Sequence, residues 1–169
     1  MADIISRERL QPSLLDRLTD NAPDQKRESF DQQTLNMPQL RQAVLRDLAW
    51  LLNSTNLATT TELNAAPLAA RSTLNYGIPG FAGLISSSLR LTALESAIAE
   101  AIRAFEPRIN PETLKVRTRE RTDDDPGPSV VFEIRGELWA YPAPQQIFVQ
   151  TAIDLETRLA QVTDARARS

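Results

Sequence analysis

Between Thr92 and Arg119 the chain reads TALESAIAEAIRAFEPRINPETLKVRTR, and this stretch decides the fold. Leu94, Ile98, Ala101, Ile102 and Phe105 recur at helical spacing and form one apolar stripe. Glu95, Ala99, Glu100 and Arg103 lie off that stripe. Thr92 reads as the N-cap, and Glu95, three residues on, as the second half of a capping box. The helix has to stop at Phe105-Glu106-Pro107-Arg108. Pro107 disfavours helical geometry at Glu106 and has no N–H with which to continue the ladder. Two opposite charges are thus set at a forced corner, which suits a rigid contact point better than an enzyme. Past the corner the period changes to two. Leu114, Val116 and Thr118 alternate with Lys115, Arg117 and Arg119, the pattern of a half-buried strand.

Outward from this stretch the same logic organises the rest. Residues 122–128, TDDDPGP, predict a turn. Val130, Phe132, Ile134 and Leu138 then alternate with Val131, Glu133, Arg135 and Glu137. The two runs should form a hairpin, with the basic row of the first near Glu133 and Glu137 of the second. After Pro142 and Pro144 a third strand turns Ile147, Val149, Thr151 and Ile153 inward, and a short last strand is expected near Leu159 to Val162. The third strand is taken as the open edge of the sheet, with Val149 and Thr151 as partner-contact positions.

Upstream, Pro38 opens a helix from about Met37 to Asn53. Its apolar positions are Leu40, Val44, Leu48 and Leu51, while Arg41, Gln42, Arg46 and Asp47 face away. Residues 54–66 read as loop, 65–71 hold a helical turn, and 72–81 form a structured turn anchored by a buried Tyr76. In that turn Gly77 permits positive φ and Pro79 fixes the chain. Two main helices on a small antiparallel sheet make an α+β two-layer domain. Residues 36–163 form this domain, 164–169 a fraying tail, and 1–35 a flexible N-terminal arm. In the arm, a short helix near Pro12 places Leu14, Leu15 and Leu18 on one side. Three leucines are costly to leave in water, so the arm reads as a docking segment that orders on a partner.

Composition removes whole classes of function. The 169 residues contain no Cys and no His. That excludes disulfides and thiolate chemistry, along with the usual general base and the commonest transition-metal ligand. No cofactor is implied. A net charge of −3 and a pI near 5.1 argue against general nucleic-acid binding. On that balance Lys115, Arg117 and Arg119 read as a solvated strand face. With only five Gly there is no phosphate-cradling loop. Mean hydropathy is −0.32 and no apolar run reaches bilayer length, so no membrane insertion is expected. The first residues, MADIISR, place an acid where a secretory leader is basic, so a cytoplasmic location is expected.

Four stretches in order carry a resemblance: Leu10-Gln11-Pro12-Ser13-Leu14-Leu15-Asp16-Arg17-Leu18, Leu74-Asn75-Tyr76-Gly77-Ile78-Pro79, Phe105-Glu106-Pro107-Arg108, and Ile153-Asp154-Leu155-Glu156-Thr157. The sequence resembles the TssE family, the baseplate component of type VI secretion systems, within the wider phage baseplate-wedge group once labelled "lysozyme-like". One departure is visible: Arg158 stands where such proteins often have Gly after Leu-Glu-Thr. The resemblance implies a non-enzymatic wedge protein that starts assembly of the contractile sheath. Its fold would be similar to the interlocking domain of the sheath proteins, with a sheet edge on which sheath strands add. It further implies that Glu106, Pro107 and Arg108 hold the protein on the wedge's helical core. The implied partners are wedge proteins of the TssF, TssG and TssK type and sheath proteins of the TssB and TssC type. The implied setting is a baseplate docked at the inner-membrane complex of a Gram-negative bacterium. The equivalent protein of a phage-like contractile injection particle is the alternative.

The old label also raises a muramidase, which the residues can test. Glycoside hydrolysis needs two carboxyl groups across the bond, one of them kept protonated. Glu106 is the candidate acid, but Arg108 lies two residues away. If the two meet, the cation favours the carboxylate, the wrong direction for a proton donor. No second carboxylate is marked out. A helix-end ion pair that only fixes the corner is the bland alternative to a partner-facing one.

Overall fold

The structure, a computed structural model, describes residues 13–19, 35–80, 88–120, 122–123, 127–140 and 143–165, with backbone alone for 88–90. The helices are α1 (Leu14–Leu18), α2 (Met37–Leu52), α3 (Pro67–Ala70) and α4 (Ser88–Phe105). The strands are β1 (Lys115–Arg119), β2 (Ser129–Leu138), β3 (Gln145–Asp154) and β4 (Ala160–Asp164). They form one antiparallel sheet in the order β1-β2-β3-β4. The α+β architecture is as the sequence predicts.

Each long helix is set by its own pattern. Asn36 caps α2: its side chain accepts from the Gln39 N–H, and the Gln39 side chain accepts from the Asn36 N–H, both at 2.9 Å. Leu40, Val44, Leu48 and Leu51 are buried as the spacing requires. Helix α4 ends at Phe105, as Pro107 dictates, and buries Leu94, Ile98, Ala101 and Ile102. Ala99, read as lying off the stripe, is buried as well. The start of α4 corrects the reading of Thr92 as its cap. The helix begins at Ser88, so Thr92 lies inside it. Leu91, three residues before Leu94, continues the helical apolar spacing upstream of the local cap signal. Glu95 is thereby released from capping. Its Oε1 accepts instead from the backbone N–H and the hydroxyl of Thr118 on β1, at 2.5 and 2.6 Å.

In the sheet, Arg117 stands opposite Glu133 as expected of the basic row. Glu137 does not join that row. Its register partner is Gln146 of β3, which donates to its carboxylate at 2.7 Å. Val131, read as outward, is buried, because the middle strands are shielded by neighbours on both sides. The inward set Ile147, Val149, Thr151 and Ile153 is buried as read. Strand β3 is not an edge, however. It lies between β2 and β4, and the edges are β1 and β4. A fourth strand long enough to pair Val149 through Ile153 moves the edge outward by one strand. That strand also takes in Asp164, which the tail reading left to fray.

The loop between α2 and α4 is pinned where the sequence marks it. Gly77 has φ +118°, and a Cβ there would lie 2.3 Å from the Ser54 carbonyl oxygen. Across it, the Ile78 N–H donates to Ser54 O and the Asn56 N–H to Ile78 O, at 2.9 and 3.0 Å. Ile78 is buried in the core.

Candidate functional site

The proline corner is built into the protein rather than hung from it. Glu106 is only 3% exposed, while Pro107 is exposed and Arg108 retains 22% of its side-chain surface. Arg108 turns back over the corner. Its backbone N–H and its Nε both donate to Glu106 Oε1, at 3.1 and 2.6 Å, and its Nη2 donates to Glu106 Oε2. The fork-to-fork contact is bidentate, which a lysine cannot reproduce. The same Nη2 also donates to Asp47 Oδ2 on α2, at 2.5 Å. Arg108 Nη1 is buried without an acceptor among the described residues. Burial alone lowers the affinity of Arg108 for its proton. The hydrogen bond and charge of Glu106, with those of Asp47, outweigh it and hold the guanidinium above its ordinary pKa.

The network continues to α1. Asp47 Oδ1 accepts from Arg46 Nε and Nη2 at 2.9 and 2.8 Å, and Arg46 Nη1 donates to Asp16 Oδ1 at 2.5 Å. Asp16 is also within the cap of its own helix, where the Ser13 hydroxyl donates to Oδ2 at 2.6 Å. The Arg46 hydrogen bond outweighs burial and holds the Asp16 carboxyl below its ordinary range. Arg46 stacks over the Trp50 ring, 4.9 Å from its centroid. One line of charges thus runs Glu106, Arg108, Asp47, Arg46, Asp16.

This line borders an open cleft of about 460 Å³. Its walls include Leu15 of α1, Trp50 and Leu51 of α2, Tyr76, and Phe105 through Arg108. Tyr76 packs edge-on against Phe105, with ring centroids 5.2 Å apart. It is partly buried rather than fully buried, and burial with the nearby Asp47 and Glu106 charges raises its phenol pKa.

The structure therefore gathers Glu106, Pro107, Arg108 and Leu15 in one place. Leu14 and Leu18 lie on α1 with 71% and 73% exposure, outside the cleft lining. Val149 and Thr151 are completely buried in a central strand, so a partner strand cannot reach them in this fold. The reading missed Asp47, Arg46 and Trp50. Asp47 was taken to face away, yet it lies three residues from Val44 and four from Leu51, on the flank of the buried stripe. An acid at that flank was the available signal.

A family model described as baseplate wedge protein gp25 matches residues 38–143, more than half of the chain. No curated protein gives a significant match. Among the described residues no helix is long and apolar enough to cross a membrane. The matched segment holds α2, α4, the Gly77 turn, the Glu106–Arg108 corner and the β1–β2 hairpin. The chain belongs to the gp25 family of baseplate wedge proteins, the family in which TssE falls.

Proposed function

We propose that the chain is a non-enzymatic wedge subunit of a type VI secretion baseplate, held in the wedge through its Glu106–Arg108 cleft, where it starts sheath assembly from the cytoplasmic side. The observation that carries this is the sharing of one guanidinium between Glu106 and Asp47 at the rim of an aromatic-lined cleft. Trp, Tyr and Arg in a concave, preorganised site are the residue types that dominate protein interfaces. The wedge side is expected to meet subunits of the TssF, TssG and TssK type, and the sheet is expected to meet sheath proteins of the TssB and TssC type.

The same geometry weighs against a muramidase. Both oxygens of Glu106 accept hydrogen bonds from Arg108, and the carboxylate of Asp47 grips the same cation. Neither faces the other across a space for a sugar and a water. The test is an Arg108→Ala strain carrying a fluorescent sheath subunit. Sheaths should fail to form while the purified variant still shows a cooperative melt. Normal sheath numbers would refute the proposal, as would glycan digestion by the purified protein that is lost in Glu106→Gln.

A further inference from the structure

The sheet turns one face toward the helices and the other away from them. Val116, Ile134 and Val149 point into the core and are buried. Lys115, Arg117, Arg135 and Phe148, one position along from them, therefore stand on the outer face. Lys115 is exposed, Arg117 keeps 80% of its side-chain surface and Arg135 60%. Arg119 adds a fourth cation on the same side of β1. The carboxylates near them are already engaged. Glu133 accepts from Arg135 Nη2 at 2.7 Å and lies 3.8 Å from Arg119 Nε. Glu137 accepts from Gln146, and Glu95, 3.7 Å from Arg117, accepts from Thr118. Among the described residues Lys115 meets no carboxylate.

Two features set this patch apart from a merely solvated face. The register places Lys115 directly opposite Arg135, and like charges across a ladder destabilise a sheet. On its other side Arg135 stands opposite Phe148, and its guanidinium lies over that ring, 4.5 Å from the centroid. The stack holds the guanidinium in place before anything binds. A chain of net charge −3 thus keeps an unfavourable pair of cations, one of them preorganised, on an exposed face.

We propose that this outer face docks the acidic side of an α-helix from a partner protein, whose carboxylates are received by Lys115, Arg117 and Arg135. The contact is made by side chains and leaves the sheet edges untouched. Its spacing fits a helix. Lys115 and Arg117 are about 6.8 Å apart along β1, and Lys115 and Arg135 about 5 Å apart across the ladder. Carboxylates at i and i+4 of a helix are separated by about 5–6 Å. A membrane surface or a nucleic acid is an extended polyanion, and would also meet the acidic remainder of the chain. A single helix engages the patch alone. The patch lies on the outer face of the sheet and the Arg108 cleft among the helices, so each can fail without the other.

The test titrates the full chain with a synthetic helical peptide that carries glutamates at i and i+4 along one side, followed by backbone-amide NMR. The amides of Lys115, Arg117 and Arg135 should shift, and binding should weaken as salt rises. Lys115→Glu should bind the peptide at least tenfold more weakly and yet melt at a higher temperature, because opposite charges then face each other across β1 and β2. Gln161→Ala, on the same face at β4, should leave affinity within twofold. No binding by the wild type, or undiminished binding by Lys115→Glu, would overturn the proposal. So would tighter binding to phosphatidylglycerol vesicles or to single-stranded DNA than to the peptide. A lower melting temperature in Lys115→Glu would refute the like-charge strain from which the site is inferred.

Discussion

Single residues set the tightest constraints. Gly77→Ala would combine a strained φ with a Cβ driven into the Ser54 carbonyl, and should cost at least about 3 kcal/mol in urea unfolding. Arg158 has φ +63°, in the left-handed region that costs a non-glycine residue about 1–2 kcal/mol. The backbone here keeps the turn without a glycine. The Arg158 N–H donates to Asp154 O at 3.0 Å, and Asp154 Oδ1 accepts from the Glu156 and Thr157 N–H groups at 2.8 and 2.7 Å. Arg158→Gly should therefore stabilise the protein by about 0.5–1 kcal/mol, the relieved strain less the added chain entropy. A lower urea midpoint would contradict this. Asp16 supplies a pH dependence. Its folded pKa lies below the ordinary 3.8, so the stability it lends α1 is present above that range and is lost as pH falls through the folded value. In a Trp139→Phe background, Trp50 emission should shift between pH 5 and pH 2. Asp16→Asn should show the shifted spectrum already at pH 7.

At the scale of elements, what was legible depended on whether a segment's fate was local. The α2 pattern, the end of α4 and the alternation of the first three strands follow from spacing, proline and turn residues. The start of α4 was hidden because Thr92 and Glu95 make a sound local cap signal, while the helix begins at Ser88. Strand β3 was misplaced at the edge because alternation shows which face is buried, not how many neighbours a strand has. The cleft was half legible. The proline corner announces Glu106 and Arg108, but Asp47 joins them from 61 residues away, a distance no local pattern encodes. The arm belongs to this scale as well. The three leucines of α1 are all exposed, and its described polar link to the body is Asp16–Arg46. Deleting residues 1–20 should spare the thermal transition and weaken recruitment to the wedge. Loss of the folded state would contradict the division into arm and domain.

For the molecule as a whole, the family places it in a baseplate wedge, and its architecture separates two surfaces. The cleft joins the end of α4 to α2 and α1, while the sheet edges lie at β1 and β4. The proposed role of bridging wedge and sheath requires such separation, because each contact has to form without consuming the other. The central claim is that the shared guanidinium of Arg108 docks the chain on its wedge. Arg108→Lys keeps the charge beside nearly buried Glu106, and so avoids the cost of about 3–5 kcal/mol that an unpaired buried charge brings, but removes the planar fork. The most direct measurement is the affinity of purified wild type and Arg108→Lys for the assembled TssF–TssG-type wedge core. The account predicts at least a tenfold loss of affinity in a variant that still unfolds cooperatively, and wild-type affinity in that variant would contradict it.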